Sequence, residues 1–458
     1  MRTWVLPPGS PVPVVERRQE GALLLESPVV TPDLIRTVSA GLVASRSALF
    51  AMRTENILRV IEDTIKEWSV MDCPARREAE GAFRAMTGMP GVTAPFGVPL
   101  ESSAHGAVRD WFRAEVETPE ALDGFVASLG GPVFRLAGPA LAVFMLPGNI
   151  PLTWLPAFFA CLLGRTPCLI KPGGDDPMTA AAFVSSIIRR APELAPAIAV
   201  LPWKGGDAGV ETAVMENAGV VLAWGGGDAV SSLARRVPPG AGLVAHGPAT
   251  AVGAVSREAM NPGKLAQVAS ESARDTLLFD GRGCLSLSAV FLERGGLYET
   301  GEAVREIAKE FARVAGELPP GRVAPESASL VQTWRGRMRA RELAGKGSMI
   351  FTSKGNLDWT VICDGDLAFP PVPLYRTLWI HAVDSLDEIP KKLAGVGTIH
   401  ALAFAGPEAR RLKLAMDMGP SGLTRVCAFG KLQAPPVSWS STGVSPLRRL
   451  LARIVIEK

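Results

Sequence analysis

The chain of 458 residues lacks the sequence features of several protein classes. It contains no block of like charges and its net charge is only +3, so we expect no nucleic-acid partner and no anionic membrane surface. Its first residues contain no apolar run of signal-peptide length. Its six cysteines are widely spaced with no Cys-x-x-Cys pair, which favours a reduced, cytoplasmic protein over a disulfide framework. No metal site is predicted.

One stretch, between Arg135 and Arg165, lacks charge altogether and is long enough to span a bilayer. Four prolines interrupt it: Pro139, Pro147, Pro151 and Pro156. A lipid-exposed helix could not readily satisfy the carbonyl groups that these prolines leave unpaired. We therefore predict a buried strand, a turn and a buried helix here, and no membrane span.

Short apolar runs alternate with helix-compatible stretches from about residue 140 onward. This alternation is typical of βαβ units around a parallel sheet, so the predicted fold class is α/β with a Rossmann-type nucleotide-binding domain. The predicted strands are LAVFML (141–146), PCLIK (167–171), AIAVLP (197–202), GVVLAW (219–224) and GLVAH (242–246).

The regions on either side complete the predicted organisation. Thr31 as N-cap and Pro32 at the first helical position indicate a helix near the N-terminus. A second mixed region follows residue 255, and LPPGRVAPESAS (318–329) is predicted to be a loop. The predicted domains are residues 1–255, the N-terminal helices and nucleotide-binding domain; 256–420, an α/β catalytic domain; and 421–458, a segment returning to the nucleotide domain or forming an oligomer interface.

Two strand ends carry the first candidate site residues. Pro147, Gly148 and Asn149 follow the first strand, where an amide can donate to a developing oxyanion. Lys171 ends the second strand, where an ammonium can meet a ribose hydroxyl or a phosphate. Each also has an ordinary explanation, because asparagine forms turns and a terminal lysine is commonly solvated.

Three further features follow along the chain. Trp224, Gly225 and Gly226 lie between a strand and a helix, where backbone N–H groups can approach a pyrophosphate. His246 ends the fifth strand and is a candidate acid or base. Cys284, in FDGRGCLSLSAVF (279–291), is a candidate nucleophile. Taken singly, the glycines fit a tight turn equally well, and the ordinary explanations of a structural histidine and a small buried cysteine are favoured.

Taken in order, these motifs resemble the aldehyde dehydrogenase superfamily. Its members have an Asn-x-Pro turn, a strand-end Lys-Pro, a glycine turn that opens a helix, and a nucleophilic cysteine. The narrower resemblance is to the LuxC-type fatty acyl-CoA reductases of bacterial luminescence, over roughly residues 60–458. It is carried by AWGGGDAV (223–230), GCLS (283–286), PLYRTLWIHAVDSLDEI (373–389) and GLTRVCAFGKLQAPPVSW (422–439).

The chain departs from the superfamily pattern at four places. Ala245 stands where hydrolytic members carry a glutamate base, which favours reduction or thiol exchange over oxidation to a free acid. Gly174 stands where many NAD-preferring relatives have a glutamate. The absence of this carboxylate removes a charge that would repel a 2′-phosphate, which favours NADPH, with NADH as the alternative. The stretch AFPPVPL (368–374) lacks the acid used near the nicotinamide ribose, and SSTG (440–443) replaces the tail element of the luminescence family.

The resemblance implies NADPH-dependent reduction of an acyl thioester, from CoA or a carrier protein, through an acyl group on Cys284. It implies long-chain fatty acyl groups, a homo-oligomer and an acyl-protein synthetase as a partner. Lys171, Pro147, Gly148, Trp224, Gly225 and Gly226 are the implied cofactor-binding residues, and Cys284, Asn149 and His246 the implied catalytic ones. Two alternatives stay open at this point: reduction of an acyl phosphate or other activated acid, and a catalytically silent relative that binds acyl carriers.

Overall fold

The structure is a computed structural model, and it describes residues 1–104, 106–128, 131–365 and 374–457. The chain forms two compact units. The first contains residues 1–86, 96–247 and 436–458, and the second contains residues 87–95 and 248–435. The last 23 residues of the chain thus belong to the same unit as the strands of the predicted nucleotide-binding domain.

The first unit begins with an antiparallel hairpin and a set of helices. Thr31 caps the first helix by accepting a hydrogen bond from the Leu34 N–H at 3.2 Å, and Pro32 is its first residue, as the sequence predicts. The elements are β1 (Val15–Glu20), β2 (Leu23–Pro28), α1 (Pro32–Ala51), α2 (Thr54–Ser69), α3 (Pro74–Thr87), α4 (Gly97–Glu101), α5 (Ala107–Glu115) and α6 (Glu120–Asp123).

Helix α1 is the single helix among the described residues that is long and apolar enough to cross a membrane. Its apolar side packs into the core of the first unit, where Leu34, Ile35, Val38 and Leu42 join a buried cluster with residues of the central sheet. Six of its twenty residues are buried, so the helix packs into the unit along one side.

The core of the first unit is a five-stranded sheet in which every strand pairs in parallel. Each of the five predicted strands is present: the first four are shortened by one or two residues at their ends, and the fifth has its predicted bounds of 242–246. The elements are β5 (Ala142–Met145), α7 (Leu155–Leu163), β6 (Cys168–Lys171), α8 (Thr179–Arg190), β7 (Ile198–Val200), α9 (Ala208–Met215), β8 (Val220–Trp224), α10 (Gly227–Ala234) and β9 (Gly242–His246). Strand order is β7-β6-β5-β8-β9.

A small antiparallel sheet completes the first unit. It is formed by β3 (Val126–Ala127), β4 (Val133–Ala137) and β17 (Ala452–Ile456), and the last strand follows α16 (Pro446–Leu450). The uncharged stretch between Arg135 and Arg165 is therefore divided between strands β4 and β5 and the buried helix α7, as predicted.

The second unit is built around a seven-stranded sheet of order β12-β13-β14-β11-β10-β15-β16, in which only β12 pairs antiparallel. Its central strand β11 is buried along its whole length. The elements are β10 (Thr250–Val255), α11 (Pro262–Leu277), β11 (Leu287–Glu293), α12 (Thr300–Glu317), α13 (Pro325–Leu343), β12 (Met349–Thr352), β13 (Thr360–Cys363), β14 (Thr377–Val383), α14 (Ile389–Lys392), β15 (Ile399–Ala405), α15 (Glu408–Asp417) and β16 (Arg425–Cys427).

One predicted element is wrong in part. Residues 318–329 are predicted to be a loop, but helix α13 begins at Pro325. Proline is well tolerated at the first helical position because the missing N–H has no partner there, so Pro325 starts the helix rather than preventing it.

Candidate active site

The predicted site residues of the first unit meet along one edge of its sheet. The strands are parallel, so their carboxyl ends lie at the same edge, and the chain reverses direction across the sheet between β5 and β8. Met145 pairs with Lys171, and Trp224 pairs with His246. This topological switch point is where open α/β sheets bind ligands.

The turn that carries Asn149 is packed against the turn that follows Lys171. A side chain at Gly173 would place its Cβ only 2.5 Å from the Gly148 Cα and from the Pro147 carbonyl carbon. A Cβ at Gly148 would lie 2.9 Å from the Asp175 amide nitrogen. Glycine at both positions therefore lets two strand-end turns touch backbone to backbone, and Asn149 is placed directly after this contact.

Lys171 is half-buried at the end of β6. Its Nζ lies 5.9 Å from the centre of the Trp203 ring, which follows strand β7. Burial lowers the pKa of the Lys171 ammonium below its usual range, since the charged form loses solvent. An anionic ligand group at this edge would stabilise the charged form of the ammonium in place of the lost water.

The glycine turn after β8 leads straight into helix α10. Gly226 is the N-cap residue and Gly227 the first helical residue, and a Cβ at Gly226 would meet no atom within 4 Å. None of the eight residues of α10 is buried. The first N–H groups of this helix thus border open space, as the N-terminus of a phosphate-binding helix requires.

Two contacts within the first unit help to hold His246. Its ring stacks on Trp224 with the ring centres 4.4 Å apart and an interplanar angle of 8°. Its Nδ1 is 2.8 Å from the Ser441 hydroxyl oxygen, which lies 195 residues further along the chain. Ser441 belongs to the C-terminal segment, so the sequence alone offered no reason to pair it with His246. The stack fixes the plane of the imidazole, and the hydrogen bond fixes its rotation.

A cavity borders His246 in the first unit. Its walls are mainly apolar and its remaining lining is formed by hydroxyls, His246 and one arginine. The lining residues are Ala157, Leu222, Val244, His246, Ser440, Thr442, Val444, Pro446, Arg449 and Leu450.

Two sequence departures can be located on this framework. Ala245 is the residue before His246 in strand β9 and pairs with Ala223, so no carboxylate is carried at this position of the strand. Gly174 lies in the turn after Lys171, and a Cβ there would meet no atom within 4 Å. Of the stretch 368–374, only Leu374 belongs to the described residues.

Cys284 lies in the second unit, between α11 and β11, and is the exposed one of the six free cysteines. Four others are buried and Cys427 is partly exposed. Although its surface is accessible, the protein around it desolvates the sulfur and raises the pKa of the Cys284 thiol, while its own backbone N–H opposes this shift. The thiol is reachable but needs a base to become the thiolate.

The loop that carries Cys284 is fixed on its C-terminal side by hydrogen bonds within the second unit. The Gly283 N–H donates to the Ser286 hydroxyl at 3.2 Å, and the Gln433 side-chain amide donates to the same hydroxyl at 3.0 Å. Gln433 also donates to the Asp275 carbonyl at 3.2 Å. Gln433 lies in the family motif at 422–439, but the sequence predicts no role for it. No local pattern indicates this contact, because 147 residues separate Gln433 from Ser286.

Solved structures of aldehyde dehydrogenases resemble this chain. Aldehyde dehydrogenase 21 from Physcomitrella patens matches with a TM-score of 0.73 and 14% identity, over 100% of this chain and 98% of that one. A salicylaldehyde dehydrogenase from Pseudomonas putida G7 matches with a TM-score of 0.75 and 12% identity, over the same shares. These similarities confirm the predicted α/β fold of the aldehyde dehydrogenase type.

Sequence comparison is more specific. The long-chain acyl-protein thioester reductase 2 of Photobacterium leiognathi is 27% identical over 326 residues, which cover 69% of this chain and 64% of the relative. The corresponding reductase of Aliivibrio fischeri is 25% identical over 322 residues, with the same shares. The matched part thus spans less than two thirds of either relative. The acyl-CoA reductase (LuxC) family model matches residues 49–453. The chain therefore belongs to the acyl-CoA reductase (LuxC) family.

Proposed function

We propose that this protein reduces an acyl thioester to the aldehyde with NADPH, through an acyl group carried on Cys284. The observation that carries the proposal is that Cys284 is the exposed one of six cysteines and precedes the central strand of its unit, in a chain of the acyl-CoA reductase family. The acyl donor is acyl-CoA or an acyl-carrier thioester, and the relatives named as long-chain acyl-protein thioester reductases support a fatty acyl group.

The residues of the first unit fit a dinucleotide. The open N-terminus of α10 at Gly226 suits a pyrophosphate, and the desolvated ammonium of Lys171 suits a ribose hydroxyl or phosphate. Pro147, Gly148, Trp224 and Gly225 would line the same edge. When bound, the reduced nicotinamide supplies the hydride for the acyl carbon. The chain's own residues supply the nucleophile, the oxyanion donor and the proton transfers.

Cys284 forms the covalent bond to the acyl group, and Asn149 stabilises the oxyanion. The Cys284 thiolate attacks the thioester carbonyl, a carbon–sulfur bond forms, and the tetrahedral oxyanion accepts hydrogen bonds from the Asn149 amide and a backbone N–H. The donor thiolate leaves and the acyl group stays on Cys284. After hydride transfer, the resulting thiohemiacetal expels the Cys284 thiolate and the aldehyde forms.

Proton transfer is assigned to His246. The contact between Nδ1 and the Ser441 hydroxyl orients the imidazole for this role. The alanine at position 245 leaves this strand without the carboxylate that would activate water. The acyl group on Cys284 therefore persists until it is reduced or returned to a thiol.

The decisive experiment is mass spectrometry of the protein after incubation with acyl-CoAs of several chain lengths, without cofactor. A stoichiometric acyl adduct on the peptide that contains Cys284 is expected, and addition of NADPH should discharge it as aldehyde. An adduct elsewhere, or turnover only with an acyl phosphate, would contradict the proposal. The chain lengths that acylate fastest would define the substrate class.

Cofactor choice is tested at Gly174. Gly174→Glu places a carboxylate three residues after Lys171, at a position with room for a side chain, so repulsion of the 2′-phosphate should lower kcat/KM with NADPH by at least about 10-fold. The value with NADH should rise or stay unchanged. Gly174→Gln is the matched control because it has the same shape without charge. Equal effects of Glu and Gln would place the 2′-phosphate elsewhere.

The role of His246 is tested together with Ser441. His246→Ala should lower the rate of aldehyde formation by about 10² or more, and Ser441→Ala by a smaller factor, because the ring loses its fixed rotation. The double variant should be no slower than His246→Ala, since Ser441 acts only through the imidazole. Ser440→Ala is the control: Ser440 lines the same cavity and contacts the Thr442 hydroxyl at 2.9 Å. Additive losses would make Ser441 independent of His246.

The remaining proposals follow from family membership. We propose a homo-oligomer that receives acyl groups from an acyl-protein synthetase. All six cysteines are free, which supports a reducing, cytoplasmic location. Sedimentation of the purified protein, alone and with a candidate synthetase, tests the assembly.

A further inference from the structure

Three consecutive residues before the nucleophile loop have left-handed backbone conformations. They are Phe279 with φ 53°, Asp280 with φ 57° and Gly281 with φ 68°. Glycine adopts this conformation at little cost, but each of the other two costs roughly 1–2 kcal/mol. Such strain persists only where the surrounding structure determines the conformation, and it is common near reactive groups.

The contacts that hold this turn come from distant parts of the second unit. The Phe279 N–H donates to the Thr93 carbonyl at 2.8 Å, and its ring is buried. The two carboxylate oxygens of Asp280 are each occupied. One accepts from Arg376 at 2.8 Å and the other accepts from the Gly321 N–H at 3.0 Å.

Arg376 is the centre of this arrangement. Its side chain and that of Asp280 are both 0% exposed. Besides Asp280, the guanidinium donates to the carbonyl groups of Leu277, Leu318 and Asp358 at 3.3, 2.7 and 2.5 Å. Leu277 is the last residue of α11, and one residue, Leu278, separates it from the left-handed turn. One guanidinium therefore contacts the chain on both sides of Leu278, at the point where the helix gives way to the turn.

We propose that Arg376, acting through Asp280, is a positioning residue for Cys284. The pair locks the left-handed turn, and this turn sets the exit direction of the loop that presents the thiol four residues later. Ser286 and Gln433 fix the other side of the same loop. The inference rests on the proposed function in taking Cys284 as the nucleophile, but the reactivity of its thiol can be measured without that function.

The test compares Arg376→Lys and Asp280→Asn with Arg410→Lys. Arg410 pairs with Glu293, which is also 0% exposed and lies in the same unit, so this control disturbs a comparable ion pair away from Cys284. The readouts are the rates of Cys284 alkylation by iodoacetamide and of acylation by octanoyl-CoA. Both are measured well below the melting temperature and normalised to the folded fraction. If the single variants do not fold, Asp280→Leu with Arg376→Met removes both charges together and leaves neither unpaired.

We expect both Cys284 rates to fall by about 10² in the Arg376 and Asp280 variants, because small displacements of a reacting atom have effects of this size. The rates of the Arg410→Lys variant should match those of the wild type. A lower melting temperature with unchanged Cys284 rates would overturn the inference and make the pair purely structural. If the wild type is alkylated but never acylated, the proposed function fails while the alkylation rates still decide on Arg376.

Discussion

Cys284→Ala is expected to abolish NADPH-dependent reduction of acyl-CoA, with a loss of about 10³ or more in kcat. In the proposed mechanism the Cys284 thiolate forms the covalent bond to the acyl group, so its removal leaves the intermediate without a carrier. The acyl adduct seen by mass spectrometry should disappear as well. NADPH binding, measured by fluorescence, should persist because the residues proposed to bind the cofactor belong to the first unit.

Cys427→Ala is the matched control for this experiment. Cys427 lies in the same unit and is partly exposed, but burial raises the pKa of its thiol to about 11, which makes it a poor nucleophile at neutral pH. This variant should keep wild-type activity. Because burial also raises the pKa of the Cys284 thiol, its alkylation rate in the free enzyme should rise over a higher pH range than that of an ordinary cysteine. Activity retained in Cys284→Ala would remove the thiol from the mechanism.

Gly173→Ala is expected to have the second largest effect. The added methyl group would overlap the backbone of Pro147 and Gly148, and backbone cannot rotate away as a flexible side chain can. The two strand-end turns must separate, which displaces Asn149 on one side and Lys171 on the other. A displacement of about 1 Å can cost about 10² in rate, so kcat/KM should fall at least that far. Unfolding free energy should fall by about 1–3 kcal/mol.

Gly205→Ala provides the control for Gly173→Ala. Gly205 lies in the turn between β7 and α9 of the same unit, and a Cβ there meets no atom within 4 Å. Its activity and melting temperature should match those of the wild type. If Gly173→Ala behaves like Gly205→Ala in acylation, reduction and thermal unfolding, the turn contact has no part in the site.

The sheet of the first unit could be predicted from sequence because buried parallel strands appear as short apolar runs with turn residues between them. The candidate residues Asn149, Lys171 and His246 could be found for the same reason, since each stands directly after or at the end of such a run. Helix and strand starts are local signals, which is why the N-cap at Thr31 was also predictable.

The supporting contacts could not be predicted in this way. Ser441 reaches His246, Gln433 reaches Ser286 and Arg376 reaches Asp280 across 195, 147 and 96 residues of chain. Nothing local marks a serine, a glutamine or an arginine for such contacts, because they depend on tertiary packing. The left-handed conformation of Phe279 could not be predicted either, since a bulky residue rarely adopts it, and an aspartate such as Asp280 adopts it more readily but only at a minority of positions.

The long separation between Arg376 and Asp280 also fixes when the nucleophile becomes ready during folding. Cys284 is synthesised well before Arg376, so a nascent chain carries the thiol without the guanidinium that locks its turn. Long-range contacts form late because loop closure costs entropy before it is repaid. Strand β14 begins at the residue after Arg376 and pairs with β11. The strained turn can therefore be locked only after β14 has paired with β11. The cysteine takes up its presented conformation only in a chain whose central sheet is already assembled.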